Sequence, residues 1–202
     1  CLNSLGADIK FVDGGISVKH IKAKRKSAVL DCNESGSTIR FLLPVAAALG
    51  TNTEFTGGGR LPERPLSPLR EQMEAHGVVF SPINVFPVKI NGEMTSGEFT
   101  IKGNISSQFI TGLLFALPLL NGNSIINVIP PVESRPYIDM TLNTLKKFGI
   151  TVTEKSNSFF IPGGQKYASP GTVESEGDWS NSAFFLTAGA VSGRVTVTGL
   201  DV

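Results

Sequence analysis

The sequence is poor in the residues that build metal centres and covalent frameworks. Its 202 residues include two cysteines, Cys1 and Cys32, and two histidines, His20 and His76. Two thiols are too few for a disulfide framework, and with the histidines this scattered there is no four-ligand metal spacing. A reducing, cytoplasmic setting is the natural reading of that scarcity. Net charge is scarce too, since 18 basic side chains against 17 acidic ones leave +1. Such a balance exerts no global pull toward nucleic acid or a membrane surface, so any anion recognition has to be local.

Long apolar runs are also missing. Phe41 to Leu49 and Phe109 to Leu120 fall short of the ~18 residues that a membrane span needs, and Pro44, Thr111 and Pro118 interrupt them. These runs read as buried helices instead. There is no Ser/His/Asp arrangement, Walker loop or GxGxxG. No signal-peptide pattern opens the chain, which starts at Cys1 in what reads as a helix end, so a piece of a longer protein is expected. With 41% hydrophobic and 17% charged residues, the chain can bury a real core in one large domain or two small ones.

One pattern is present three times. A small polar cluster opens an apolar helix at NESGSTIRFLLPVAAALG (Asn33 to Gly50), GNISSQFITGLLFALPLLNG (Gly103 to Gly122) and GDWSNSAFFLTAGAVSG (Gly177 to Gly193). Each helix start offers unpaired backbone N–H groups and a partial positive charge, so three brought together would make an anion-binding surface. A second helix repeats as well. ERPLSPLREQMEAHG (Glu63 to Gly77) matches SRPYIDMTLNTLKKFG (Ser134 to Gly149), each with Arg-Pro near its start and Gly at its end. In the later copy Ile138, Leu142 and Leu145 fall at i, i+4 and i+7, so one face is buried.

Strand-like runs lie between the helices at Ile16 to Ile21, Thr53 to Thr56, Val85 to Ile90, Phe99 to Ile101, Ser124 to Val128, Ile150 to Thr153, Phe159 to Ile161 and Val195 to Thr198. The spacing from Gly6 to Gly77 to Gly149 gives a period of about 71 or 72 residues, longer than the ~20 to 50 of a solenoid unit. Each repeat therefore reads as a small βαβαββ subdomain with right-handed parallel crossovers and helices covering a mixed sheet. Residues 1–30 finish one unit, 31–98 form a second, 99–171 form a third, and the chain then enters another.

Several side chains are candidates for anion chemistry, each beside a plainer role. The cluster around Gly36 lets a ligand approach the backbone closely, or simply caps a helix. Arg40, one turn on, faces the site mouth or solvent. Arg64 follows Gly57-Gly58-Gly59 and precedes Pro65, which holds its bidentate guanidinium near a helix start; a salt bridge with Glu63 is the alternative. Ser106, Ser107 and Gln108 supply two hydroxyls and an amide suited to a hydroxyl-rich or phosphorylated ligand, or an N-cap with a spare serine. Ser134, Arg135 and Tyr137 sit at the second helix of the next copy, in the place that Arg64 holds in its own. Asp178 is an N-cap or a ligand group. The basic run Lys22 to Lys26 alternates with Ala23 and lacks interleaved aromatics, which favours a solvated strand edge over a nucleic-acid patch.

Five motifs in order, NESGSTIRFLLPVAAAL, TGGGRLPERPLSPL, ISSQFITGLLFALPLL, SRPYIDMTL and EGDWSNSAFFLTAGAV, resemble the 5-enolpyruvylshikimate-3-phosphate synthase family along essentially the whole chain. The sister family that transfers enolpyruvyl to UDP-N-acetylglucosamine shares the architecture, but SSQF and SRPYID resemble the shikimate branch. The resemblance implies an α/β fold of repeated βαβαββ units with buried helices and mixed sheets, an inside-out α/β barrel. Residues 1–175 would be most of an N-terminal domain, and 176–202 the crossover into a second.

It also implies transfer of the enolpyruvyl group of phosphoenolpyruvate to the 5-hydroxyl of shikimate 3-phosphate, without metal or organic cofactor. The whole protein would be a monomer needing neither nucleic acid nor membrane. By motif, Gly36, Arg64 and Gln108 would meet phosphoenolpyruvate. Ser106, Ser107, Gln108, Ser134 and Tyr137 would hold shikimate 3-phosphate, with Arg40 and Asp178 as weaker candidates. The small residues around Gly36 match glyphosate-sensitive members. The family's N-terminal Lys-Ser segment and second-domain carboxylates have no counterpart here, so this chain alone is expected to be inactive.

Overall fold

A computed structural model describes residues 1–82 and 86–200, and it divides into one unit of residues 1–168 and a second that begins at Ser169. The first unit begins with a turn that buries Leu5, followed by a hairpin of β1 (Asp8–Val12) and β2 (Gly15–Lys19). Asp13-Gly14 supplies its two-residue loop, with Gly14 at φ +71°, the sign a tight hairpin turn requires.

The elements that follow state one topology twice. The first copy runs β3 (Ser27–Asp31), α1 (Gly36–Ala48), β4 (Asn52–Thr56), α2 (Leu69–Ala75), β5 (Val79–Ser81) and β6 (Val88–Asn91). The second runs β7 (Glu98–Lys102), α3 (Ser107–Ala116), β8 (Ser124–Ile129), α4 (Arg135–Lys147), β9 (Thr153–Lys155) and β10 (Ser158–Ile161). Their sheets are ordered β3-β4-β6-β5 and β7-β8-β10-β9, each with one parallel pair followed by two antiparallel ones. This is the mixed α/β repeat that the helix and strand patterns imply, and neither sheet closes into a barrel.

The helix ends explain the period. After α1, α2 and α4, a residue past the end turns back with an i→i−5 bond: Thr51 N–H to Ala46 O at 3.0 Å, Val78 N–H to Met73 O at 3.1 Å and Ile150 N–H to Leu145 O at 2.9 Å. The glycine between has positive φ each time, so Gly77 and Gly149 are the same cap one period apart. The cap also explains a displaced strand. Ile150 belongs to the α4 terminus, so the run expected at Ile150 to Thr153 pairs only from Thr153 onward.

Proline delays α2 in a similar way. A helix was expected from Glu63, but residues 61–63 form a single 3₁₀ turn and α2 starts at Leu69. Pro65 and Pro68 lack the N–H a helix needs and disfavour helical backbone in the residue before them. The short strands β1, β3 and β5 were not anticipated. Val195 to Thr198 pairs with nothing among the described residues, and Lys22 to Lys26 forms an exposed irregular segment rather than a strand edge. Val85, the first residue of another expected run, lies outside the described residues.

The core is one cluster in which Phe55, Ile90, Phe99, Ile126, Phe159 and Ile161 from the sheets meet the helices. Helix α3 is buried at every position from Phe109 to Leu114, so it has protein on all sides. It packs against α1 at one point of very close approach. Pro44 cannot donate to the Arg40 carbonyl, which the helix would otherwise use, and Gly112 lies against that free oxygen. A Cβ at Gly112 would overlap it. Between the repeats, His76 stacks on Phe99 at 3.9 Å while its Nδ1 donates to Gln72 O, and Gln72 Oε1 accepts from Thr100 N–H at 2.7 Å.

Cys32 follows β3 and is 2% exposed. Burial pushes its thiol up to about 11, so at pH 8 roughly one in a thousand is thiolate. Iodoacetamide at pH 8 should label the half-buried Cys1 first, with Cys32 reacting at least ~100-fold more slowly until denaturant is added. Peptide mapping of both sites reads this out, and equal rates would contradict it.

In the second unit, α5 (Trp179–Ser192) exposes Phe184, Phe185 and Val191. Among the described residues no helix is long and apolar enough to cross a membrane, and no cluster of His, Cys, Asp or Glu could hold a metal ion.

Candidate anion site at the helix starts

The close crossing of α1 and α3 brings two of the polar helix starts side by side. Ser35 caps α1, its Oγ accepting from Thr38 N–H at 3.2 Å and from the Thr38 hydroxyl at 2.8 Å. Ser106 caps α3, its Oγ accepting from Gln108 N–H at 3.3 Å, which leaves the serine's own proton for a ligand. Beside them opens a groove of about 620 Å³, completed by α4. Arg40 comes to it from α1, Ser106, Ser107 and Gln108 from α3, and Ser134 and Tyr137 from α4.

Ser134 is the N-cap of α4 but does not cap it with its side chain, and its backbone is left-handed at φ +58°. A non-glycine residue in that region carries strain that the surroundings must hold. Its hydroxyl therefore enters the groove uncommitted to the helix. Tyr137, one turn on, is 56% exposed and presents its ring there. Beneath it, the Thr111 hydroxyl meets that of Thr141 at 2.9 Å and Thr141 donates to Tyr137 O, fixing α3 against α4. From sequence, Thr111 looked like no more than a break in an apolar run.

Arg40 joins the groove to a second cluster. Gly57 to Gly59 wrap the start of α1 so tightly that a Cβ at Gly57 would stand 2.8 Å from Asn33 O. That loop delivers Arg64 to Gly36, where an added Cβ would lie 2.7 Å from Arg64 Nη1 and 3.6 Å from Arg40 Nη1. Glu63 is not Arg64's partner, since it pairs with Arg60 at 3.8 Å. Among the described residues neither Arg40 nor Arg64 has a carboxylate within ion-pair distance. Burial and then the neighbouring Arg64 charge hold Arg40 below the usual guanidinium range. Two adjacent cations with no carboxylate partner among the described residues, at a helix N-terminus, have the chemistry to suit a multiply charged anion.

The other candidates are committed elsewhere. Arg135 forms a bidentate pair with Glu154 at 2.7 and 2.8 Å and bonds Asp139 at 2.7 Å. Those bonds raise its pKa and neutralise the cation that the repeat placed in Arg64's position. Asp178 lies in the second unit and caps α5, accepting from Ser180 and Asn181 N–H at 2.8 and 3.2 Å.

Two successive βαβαββ units whose helix starts meet at a groove make this an α/β repeat protein. An EPSP synthase structure from Acinetobacter baumannii shares the fold at a TM-score of 0.73, covering 93% of this chain and 43% of that one, at 22% identity. The chain belongs to the EPSP synthase (3-phosphoshikimate 1-carboxyvinyltransferase) family, whose model matches residues 1–202. It is 41% identical to the 3-phosphoshikimate 1-carboxyvinyltransferase of Clostridium kluyveri over 99% of its own length and 47% of that relative. The protein of that name from Brachyspira hyodysenteriae is also 41% identical, over 96% and 46%. The chain thus spans about half the length of the curated relatives it matches.

Proposed function

We propose that the full-length gene product transfers the enolpyruvyl group of phosphoenolpyruvate to the 5-hydroxyl of shikimate 3-phosphate, releasing phosphate, in the cytoplasm. The observation that carries this reading is the pair of guanidiniums at Gly36 with no carboxylate partner among the described residues, one of which, Arg40, donates from Nη1 to Gln108 Oε1 at 2.8 Å in a groove of hydroxyls. Arg64 and Gly36 receive phosphoenolpyruvate, with Arg40 supporting the positive field. Ser106, Ser107 and Ser134 hold shikimate 3-phosphate, Tyr137 lies against its ring, and Gln108 stands between the two substrates.

In the reaction the 5-hydroxyl oxygen adds to C2 of phosphoenolpyruvate as C3 takes a proton and the hydroxyl proton leaves. The tetrahedral adduct then loses phosphate from C2 and a proton from C3, restoring the double bond. Cations preorganised at Gly36 stabilise charge on the phosphate as it departs. Proton transfer needs acid and base groups, and the groove's lining contains no Asp, Glu, His or Lys. In this reading the groove binds the substrates, and the acid and base groups come from outside its lining.

The test is phosphate release by this chain and by the full-length gene product, with calorimetric titration of shikimate 3-phosphate into each. Turnover by the longer protein alone, with binding by both, supports the proposal. Binding without phosphate release by either would instead describe a non-catalytic phosphometabolite-binding module. A narrower prediction concerns Gly36→Ala. Its methyl would push Arg64 Nη1 aside, which should raise KM for phosphoenolpyruvate roughly 10-fold and weaken inhibition by glyphosate at least as much. Unchanged KM and inhibition constants would remove Gly36 from the phosphoenolpyruvate position.

A further inference from the structure

Arg40 has a task that its charge alone does not describe. Its Nη1 donates to Gln108 Oε1 at 2.8 Å, from one helix to the next, and its Nη2 donates to Pro65 O at 3.3 Å. The guanidinium lies 5.2 Å from the centre of the Phe109 ring, and its buried Nε has no hydrogen-bond partner among the described residues. Three contacts from α3 and the Pro65 turn thus fix the plane of this group.

A guanidinium has five N–H donors and no acceptor, so the only end of the Gln108 amide it can hold is Oε1. The amide is planar, and with Oε1 taken its NH₂ is the end left for a ligand. Without Arg40 the amide could turn over and present either end. We propose that Arg40 is a positioning residue that fixes the orientation of the Gln108 amide and leaves its NH₂ to the groove, selecting a ligand oxygen that accepts. This rests on the assignment of Gln108 to the substrate groove made above.

A double-mutant cycle in the full-length gene product tests it. Arg40→Met should lower kcat/KM roughly 30-fold in the wild-type background but less than about 3-fold in the Gln108→Ala background, because most of its effect passes through that amide and only its smaller share of the positive field remains. Arg40→Lys, which keeps one donor, should recover most of the loss. Gln108→Glu provides a check that does not depend on how Arg40→Met folds. A carboxylate keeps, and strengthens, the bond to Arg40 but has no N–H to offer, so kcat/KM should fall as far as in Gln108→Ala while Tm does not fall.

Equal losses from Arg40→Met in both backgrounds would overturn the positioning role and leave the groove assignment standing. So would near wild-type activity of Gln108→Glu if Gln108→Ala is impaired. Wild-type kcat/KM in Gln108→Ala would instead overturn the groove assignment, and the positioning role with it.

Discussion

Arg64→Ala is expected to lower kcat/KM of the full-length gene product by at least ~100-fold, the range seen when one transition-state donor is removed. The side chain reaches Gly36 from a loop held by Gly57 and Gly59, and its neighbour Arg40 adds charge of the same sign. Two like charges side by side cost free energy in the empty site and repay it only when an anion binds between them. Ordinary surface arginines make a poor comparison, because Arg64 has no carboxylate partner among the described residues whose loss could dilute the effect. Arg64→Lys should recover little, since an ammonium cannot reproduce the bidentate fork. Steady-state kinetics with phosphoenolpyruvate varied would settle it; wild-type values would sink the assignment.

The second large effect is one of stability. Gly112→Val should destabilise the protein by about 3 kcal/mol, the upper part of the range for overpacking a tight core. For a chain of this size that corresponds to a fall in Tm of roughly 6 to 12 °C. A Cβ there meets the Arg40 carbonyl oxygen and stands 3.3 Å from Phe41 Cα. Both are backbone atoms of a helix and cannot rotate away as a side-chain tip would. The same wedge separates Arg40 from Gln108, so the anion site should weaken even in protein that remains folded at 25 °C. A thermal scan with Tm within 2 °C of wild type would overturn the close apposition of α1 and α3 at Gly112.

The parts of the site built from helix starts were legible in the sequence. Gly36 and Ser106 announce themselves because capping is local: a small or hydroxylated residue before an apolar run marks a helix start whatever the rest of the chain does. The repeat was legible for a related reason. Gly77 and Gly149 end helices through the same positive-φ cap, and such caps tolerate few other residues. The α2 start was misplaced because Arg-Pro is a helix-opening signal in Ser134-Arg135-Pro136 but part of a proline-broken turn in Glu63 to Pro68.

Arg135 and Arg64 make the point most plainly. Both precede a proline in matching motifs; Asp139, four residues on, is a partner that local spacing offers Arg135, but Glu154, which holds it bidentately, is 19 residues away. The sequence alone determined the class of fold, the period and the starts of the polar-capped helices, because those follow from backbone rules that act over a few residues. Which cation stays free, and which amide end faces the groove, was decided by tertiary structure. Arg40 and Gln108 are 68 positions apart. They touch only because Pro44 frees a carbonyl and Gly112 has no side chain to keep α3 away from it.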